Sequence, residues 1–290
     1  MLPNFLDLPE NLSDLENAMV VLLCLPYEAS TTYGKGTKNG PQAILEASGH
    51  IETYDEELDI EPCQIGISTQ VPFESFDSVP ETAIRQITDA CESFLKRKKF
   101  VVSVGGEHTI TVGLVRAFKK SFPDMWVLQL DAHSDLRHSY MNSPLNHACV
   151  MARVAEICPY IGVGIRSSTL SERQSLKAPS KIVYAHEMNQ NPAWSDQVLA
   201  DLGDLVYLTI DLDFFDPSVV PCVGTPEPGG FQWYETLNFL KKLSETKRII
   251  GFDVVELSPE PNFVVSDVVA AKLIYKLLGY LFKDKLSKST

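Results

Sequence analysis

Eight short β-rich runs punctuate the chain: AMVVLLCLP (18–26), CQIGIS (63–68), FVVSVGG (100–106), MWVLQLD (125–131), YIGVGIR (160–166), KIVYA (181–185), DLVYLTID (204–211) and RIIGFDVVE (248–256). Several are apolar at both alternating positions, the pattern of strands buried on both faces of a parallel sheet. Helix-compatible stretches lie between them at 81–99, 109–120, 147–158, 234–246 and 266–282. Strand and helix alternate, which predicts α/β layering, a three-layer α/β/α sandwich around a mainly parallel sheet of about eight strands. No repeat, low-complexity tract or Ser/Gly-rich linker divides the chain, so residues 1–290 are expected to form one domain.

Composition changes this picture little. Hydrophobic residues make up 44% of the 290 positions and charged residues 22%, ordinary values for a globular core. The net charge of −13 disfavours nucleic acid as a partner and favours cations, although acidic balance also serves solubility alone. The six cysteines contain no CxxC pair and read as reduced thiols of a cytoplasmic protein. The opening MLPNFLDLPENLSDLE lacks the basic flank and apolar run of an export signal. The longest apolar stretch, 263–282, carries Asp267, Lys272 and Lys276, which predicts an amphipathic closing helix rather than a membrane span. The basic run at 96–99 is expected to end a helix and stay solvated.

Candidate chemistry sits where strands end, the place where open α/β sheets bind ligands. In VLQLDAHSDLRH, Asp131, His133 and Asp135 occupy alternate positions, so an extended backbone would aim all three to one side. Asp211 and Asp213 repeat the device after VYLTI. Either motif alone is as well explained by capping or surface polarity, but four strand-end carboxylates in one cleft repel one another unless cations neutralise them. Two divalent ions supply +4 against −4. In VVSVGGEHTIT, Gly105 and Gly106 permit a tight exit from a strand, and His108 follows as a candidate nitrogen ligand.

In this order and at these intervals, GGEHTI, DAHSD, DLDFFDP, GTPEPGG and DVVELSP resemble the ureohydrolase family of arginases and agmatinases. The likeness covers nearly the whole chain, including PYEASTTYGKGTKNGPQAI near the start, and GTPEPGG and NHACVMARV are most similar to agmatinases. The resemblance implies an arginase-like fold and a binuclear site holding two Mn2+ ions on His108, Asp131, His133, Asp135, Asp211 and Asp213, with Asp131 and Asp211 bridging. Oxygen-rich ligation with two imidazoles and no thiolate suits manganese. It further implies hydrolysis of a small cationic guanidino substrate to urea and an amine, agmatine to putrescine being the first choice. Asp135 would then serve the attacking hydroxide, Glu256 would hold the guanidinium and His147 would shuttle a proton. Trimers or hexamers are expected on the same ground.

His50, His138 and His186 match no role, Asp216 reads as turn chemistry before Pro217, and Glu227 belongs to a loop lining the cleft. The chain departs from the agmatinase wording at Cys222 and Val223, which leaves the shape of the pocket there open, and its LRHSYMNSPLN segment disfavours L-arginine. Rival readings are another guanidino-acid or guanidine ureohydrolase, a single-zinc deacetylase-like enzyme, and a non-catalytic metal-binding regulator. The complete ligand set speaks against the last two.

Overall fold

Each of the eight runs forms a strand in the computed structural model, which describes residues 3–286. They are β1 (Val20–Leu25), β2 (Ile67–Gln70), β3 (Phe100–Gly105), β4 (Trp126–Leu130), β5 (Tyr160–Ile165), β6 (Lys181–Tyr184), β7 (Leu205–Asp211) and β8 (Arg248–Val255). One sheet contains them in the order β2-β1-β3-β8-β7-β4-β5-β6, and every pairing is parallel.

Parallel strands need a crossover each, and the crossovers cover both faces. The six residues of β1 are all buried and alternate between two cores. Val20, Leu22 and Cys24 pack with Ile44, Leu45 and the closing helix, whereas Val21, Leu23 and Leu25 pack with Ile84, Ile87 and Phe118. That alternation produces the expected three layers.

Helices at Pro80–Lys96, Ile110–Ser121, Trp233–Thr246 and Val265–Leu286 match the expected ones closely. The stretch 147–158 does not form one helix: a 3-10 turn at His147–Cys149 precedes a short α-helix at Val150–Ala155. Its first amides are occupied, since Met151 N and Ala152 N both donate to the carbonyl of Asp135. Short helices at Leu170–Ser175, Ala185–Gln190 and Trp194–Asp201 fill connections where no periodicity was evident.

The closing helix differs from the amphipathic expectation, because Asp267 and Lys276 are both buried. Lys276 Nζ reaches Asp55 Oδ1 at 3.0 Å and Glu57 Oε2 at 2.9 Å. Lys99 is likewise not simply solvated, donating from Nζ to the carbonyls of Glu16 and Ala18. Among the described residues, no helix is long and apolar enough to cross a membrane.

Asp55 is fully enclosed, so its charge depends on Lys276. Lys276→Met is expected to cost about 3 kcal/mol through the stranded carboxylate, read from the denaturant midpoint. A loss below about 1 kcal/mol would show that the backbone amides of Glu57 and Leu58 satisfy Asp55 unaided.

The topology explains why the site lies at the centre. Consecutive strands β3 and β4 are separated in the sheet by β8 and β7, which return later in the chain to fill the gap. These four neighbours end at one level, as the pairs Val104–Val254, Asp211–Val255 and Leu130–Ile210 show.

Candidate functional site

The four central strands deliver His108, Asp131, Asp211 and Glu256 to a common rim. After β3 the chain turns through Gly105 and Gly106, where a Cβ on Gly106 would lie 2.1 Å from the carbonyl of Tyr27. No larger residue fits there, and the tight exit carries His108 inward.

Its ring is fixed from behind. His108 Nε2 is 2.9 Å from Thr209 Oγ1, and Thr209 donates its own proton to Asp253 Oδ1 at 2.6 Å. Thr209 can therefore only accept from the imidazole, so once the ring is neutral its proton is on Nε2 and Nδ1 is the atom turned to the site. Nδ1 lies 3.2 Å from Asp131 Oδ2, 3.1 Å from Asp135 Oδ2 and 3.5 Å from Asp211 Oδ2, yet makes no hydrogen bond. A buried nitrogen facing three carboxylates carries a proton in the empty site and is placed to exchange it for a cation.

A second cluster adjoins the first. His133 Nδ1 is 2.8 Å from Asp213 Oδ2 and 3.7 Å from Asp131 Oδ1. Donor atoms of His108, Asp131 and Asp135 come within 4.8 Å of one another, as do those of Asp131, His133 and Asp213, so Asp131 belongs to both groups. All six residues expected as ligands are brought together, and the set of oxygens with two imidazole nitrogens fits divalent ions such as manganese.

The route of convergence differs from the expected extended backbone. β4 stops at Leu130, His133 makes an isolated bridge to Ser167, and Asp135 adopts a left-handed conformation with φ 50°. Asp213 sits on a 3-10 turn whose amide is accepted by Asp211 Oδ1 at 3.0 Å. Glu256 also has a left-handed backbone, φ 68°, a strain of about 1 kcal/mol that the surrounding contacts sustain. Its Oε1 accepts from His108 N at 2.6 Å.

Like charge and burial shape the titration of these groups. Burial, with Asp213 and Asp135, pushes Asp131 up to about 7, and burial with Asp213 and Asp131 holds Asp211 well above the usual carboxylate range. Burial would lower His133, but Asp213 and Asp131 reverse this and raise it to about 11. His108 is held well above its ordinary value for the same reason, its burial outweighed by Asp131, Asp135 and Asp211.

These protons must leave when a cation enters. Binding of Mn2+ at pH 8 is therefore expected to release about two protons, chiefly from the imidazoles, and to weaken steadily as pH falls. Calorimetry in buffers of different ionisation enthalpy measures the number, and a value near zero would contradict the proton-loaded site.

Supporting residues not picked out from the sequence are Gln129, Thr209, Asp253, Glu107 and Arg166. Gln129 Nε2 donates to Asp131 Oδ2 at 2.7 Å, and Arg166 Nη2 donates to the carbonyl of Asp213 at 2.6 Å and of Glu227 at 3.0 Å. Thr209→Val frees the His108 ring and is expected to weaken metal binding about 10- to 100-fold, measured by competition with a chelating dye. Unchanged affinity would show that the ring needs no such orientation.

The clusters open onto a cleft of about 270 Å3 lined by His147, Glu256, Arg137, Tyr140 and Glu172 among others. Thr225 lines it too, whereas Cys222 and Val223 are buried and are not among the lining residues. Asp216 is turn chemistry as expected, accepting from Ser218 N and from the amides of Gly229 and Gly230. Glu227 Oε1 comes within 3.9 Å of His133 Nε2. His50, His138 and His186 are exposed, with no place in the site.

The family model described as the arginase family matches residues 18–279. The chain belongs to the arginase family. It is a hydrolase of the ureohydrolase type, with the family's α/β fold. N(1)-aminopropylagmatine ureohydrolase of Synechocystis sp. is 43% identical over 96% of this chain and 94% of its own length. Agmatinase of Pyrococcus horikoshii is 32% identical over 92% and 93%. Among solved structures, agmatine ureohydrolase of Thermoplasma volcanium superposes with a TM-score of 0.86 at 29% identity, over 98% of this chain and 96% of that one.

Proposed function

We propose that the protein is a binuclear manganese enzyme that hydrolyses the guanidino group of N(1)-aminopropylagmatine, releasing urea and the corresponding triamine. The reaction class rests on one observation, two ligand clusters sharing Asp131 on the same cleft as Glu256 and His147. The substrate rests on the extended similarity to the Synechocystis enzyme, which exceeds that to the Pyrococcus agmatinase. Agmatine, the substrate expected from the motif wording, is the same molecule without its aminopropyl arm.

The cleft's charge agrees with a substrate cationic at both ends. Apart from the metal ligands, its lining carries the carboxylates of Glu172 and Glu256 against a single guanidinium, Arg137. Arg137 is itself engaged, with its Nε 3.9 Å from Glu172 Oε1 and its guanidinium 4.4 Å from the Tyr140 ring centre. That leaves little to hold the carboxylate of a guanidino acid.

His108, Asp131, Asp135 and Asp211 would hold one ion, and His133, Asp213 and the shared Asp131 and Asp211 the other. When bound, the ions acidify water and so supply hydroxide near neutral pH. Glu256, with Oε1 tied to His108 N, presents its remaining oxygen capacity to the guanidinium N–H groups and holds the planar carbon over the clusters. Asp135 accepts the proton released by the attacking water. His147 supplies a proton to the departing nitrogen, so guanidinium and water become urea and an ammonium ion. Homo-oligomerisation, a cytoplasmic setting and a place in polyamine synthesis belong to the same proposal.

Urea release from N(1)-aminopropylagmatine, agmatine, L-arginine and guanidinobutyrate, with manganese-loaded and chelator-stripped protein, tests it. Metal-dependent turnover favouring the aminopropyl compound is expected. Preference for agmatine would restore the shorter substrate, and no urea from any compound would refute the reading.

A further inference from the structure

Ser30 lies on the loop after β1, within reach of two residues distant in sequence. Its Oγ is 2.6 Å from Glu107 Oε1, 3.0 Å from His147 N and 3.2 Å from His147 Nδ1. Glu107 is fully enclosed, and its carboxylate also accepts from Ala29 N and Ser30 N at 2.6 Å each and from Thr109 Oγ1 at 2.5 Å.

A hydroxyl has one proton and two lone pairs. Glu107 is an acceptor surrounded by four donors, so the Ser30 proton goes to Glu107. The oxygen then offers only lone pairs to His147, one to its amide and one to its ring. Nδ1 must carry the ring proton in the neutral imidazole, and Nε2 has no protein partner among the described residues.

The geometry points to Ser30, anchored by Glu107, as a positioning residue that fixes the tautomer of His147 and makes Nε2 its working atom. It rests on the proposed proton-transfer role of His147 in urea release. The imidazolium gives its Nε2 proton to the departing nitrogen, the electron pair of the breaking C–N bond stays on that nitrogen, and the ring returns to the Nδ1–H form that Ser30 accepts. With the opposite tautomer the ring would offer no proton-accepting atom to the cleft for the return step. The Tyr140 ring stands edge-on to that of His147, with centres 6.3 Å apart.

The test uses the manganese-loaded enzyme. Ser30→Ala is expected to lower kcat about 10- to 100-fold with KM within about twofold and metal content unchanged. Ser30→Thr, which keeps a hydroxyl for both Glu107 and His147, should recover most of the loss. Independently of turnover, 15N spectra of histidine-labelled protein, assigned with His147→Asn, should show the Nδ1–H form in the parent and its loss in Ser30→Ala. An unchanged kcat, or an Nε2–H tautomer in the parent, would overturn the inference. If the parent releases no urea at all, the functional proposal fails, while the nitrogen spectra still decide whether Ser30 sets the tautomer.

Discussion

Asp131→Asn is expected to retain neither ion and to release urea at least roughly 10^4-fold more slowly than the parent enzyme. The magnitude follows from what the metals supply: without them water keeps a pKa near 15.7 rather than about 7, so hydroxide at neutral pH almost vanishes. Asp131 is a position where this loss is large because its donor atoms fall in both clusters. Both its oxygens are also committed, Oδ2 to Gln129 Nε2 and Oδ1 to His133 N at 2.6 Å. An amide there cannot satisfy both donors and still face a cation. Metal analysis and urea assay measure the effect, and a variant holding two ions with near-parental turnover would refute the shared-ligand arrangement.

The same substitution separates metal loss from misfolding. Burial and the carboxylates of Asp213 and Asp135 push Asp131 up to about 7, well above an unfolded aspartate. The sign is therefore destabilising above that pH: the folded, metal-free protein is strained by ionising a group that the unfolded chain ionises freely. Neutral Asn removes that strain but turns its NH2 towards one of the two donors, so chelator-stripped Asp131→Asn should melt close to the chelator-stripped parent at pH 8. A much lower melting temperature would assign the loss of activity to the fold instead.

How far the site was legible follows from the period of the strand. Ligands fall just after apolar runs, and a polar side chain beyond a buried strand is conspicuous, so Asp131, Asp211 and Glu256 stand out in the sequence. Gln129 and Thr209 lie two residues before Asp131 and Asp211 and share their faces. Each interrupts an otherwise apolar strand, as Asp253 does in β8, and that interruption was the available signal.

Other features had no local signal. Ser30 and Glu107 are 77 residues apart, and their contact is made only when β1 and β3 pair. The left-handed turns at Asp135 and Glu256 defeated the simple alternation argument, because neither residue announces a positive φ as glycine would. The inner strands could be read because burial on both faces makes them largely apolar, while β2 and β6, at the sheet edges, are only partly buried. The short helices from 170 to 201 could not, since few of their residues face the core.

Glu256→Gln should leave both ions in place and lower kcat/KM by roughly 30- to 1,000-fold, equivalent to about 2–4 kcal/mol. The change is nearly isosteric, and the amide oxygen still accepts from His108 N, the contact that holds the side chain against the first cluster. What would disappear is the negative charge proposed to face the guanidinium, replaced by an N–H pair that would meet the substrate's own donors. Burial and the neighbouring Glu107 carboxylate hold the Glu256 proton well above the usual carboxylate range, so this charge is costly in the empty cleft and is best compensated by a bound cation. A residue kept in a strained left-handed backbone and an unfavourable charge state is expected to act on the ligand, whereas a structural acid would be paired within the protein. Steady-state kinetics with parallel metal analysis distinguish these roles: metal loss with the fall in rate would make Glu256 a support for His108, and a kcat/KM within about twofold of the parent would remove it from substrate recognition altogether.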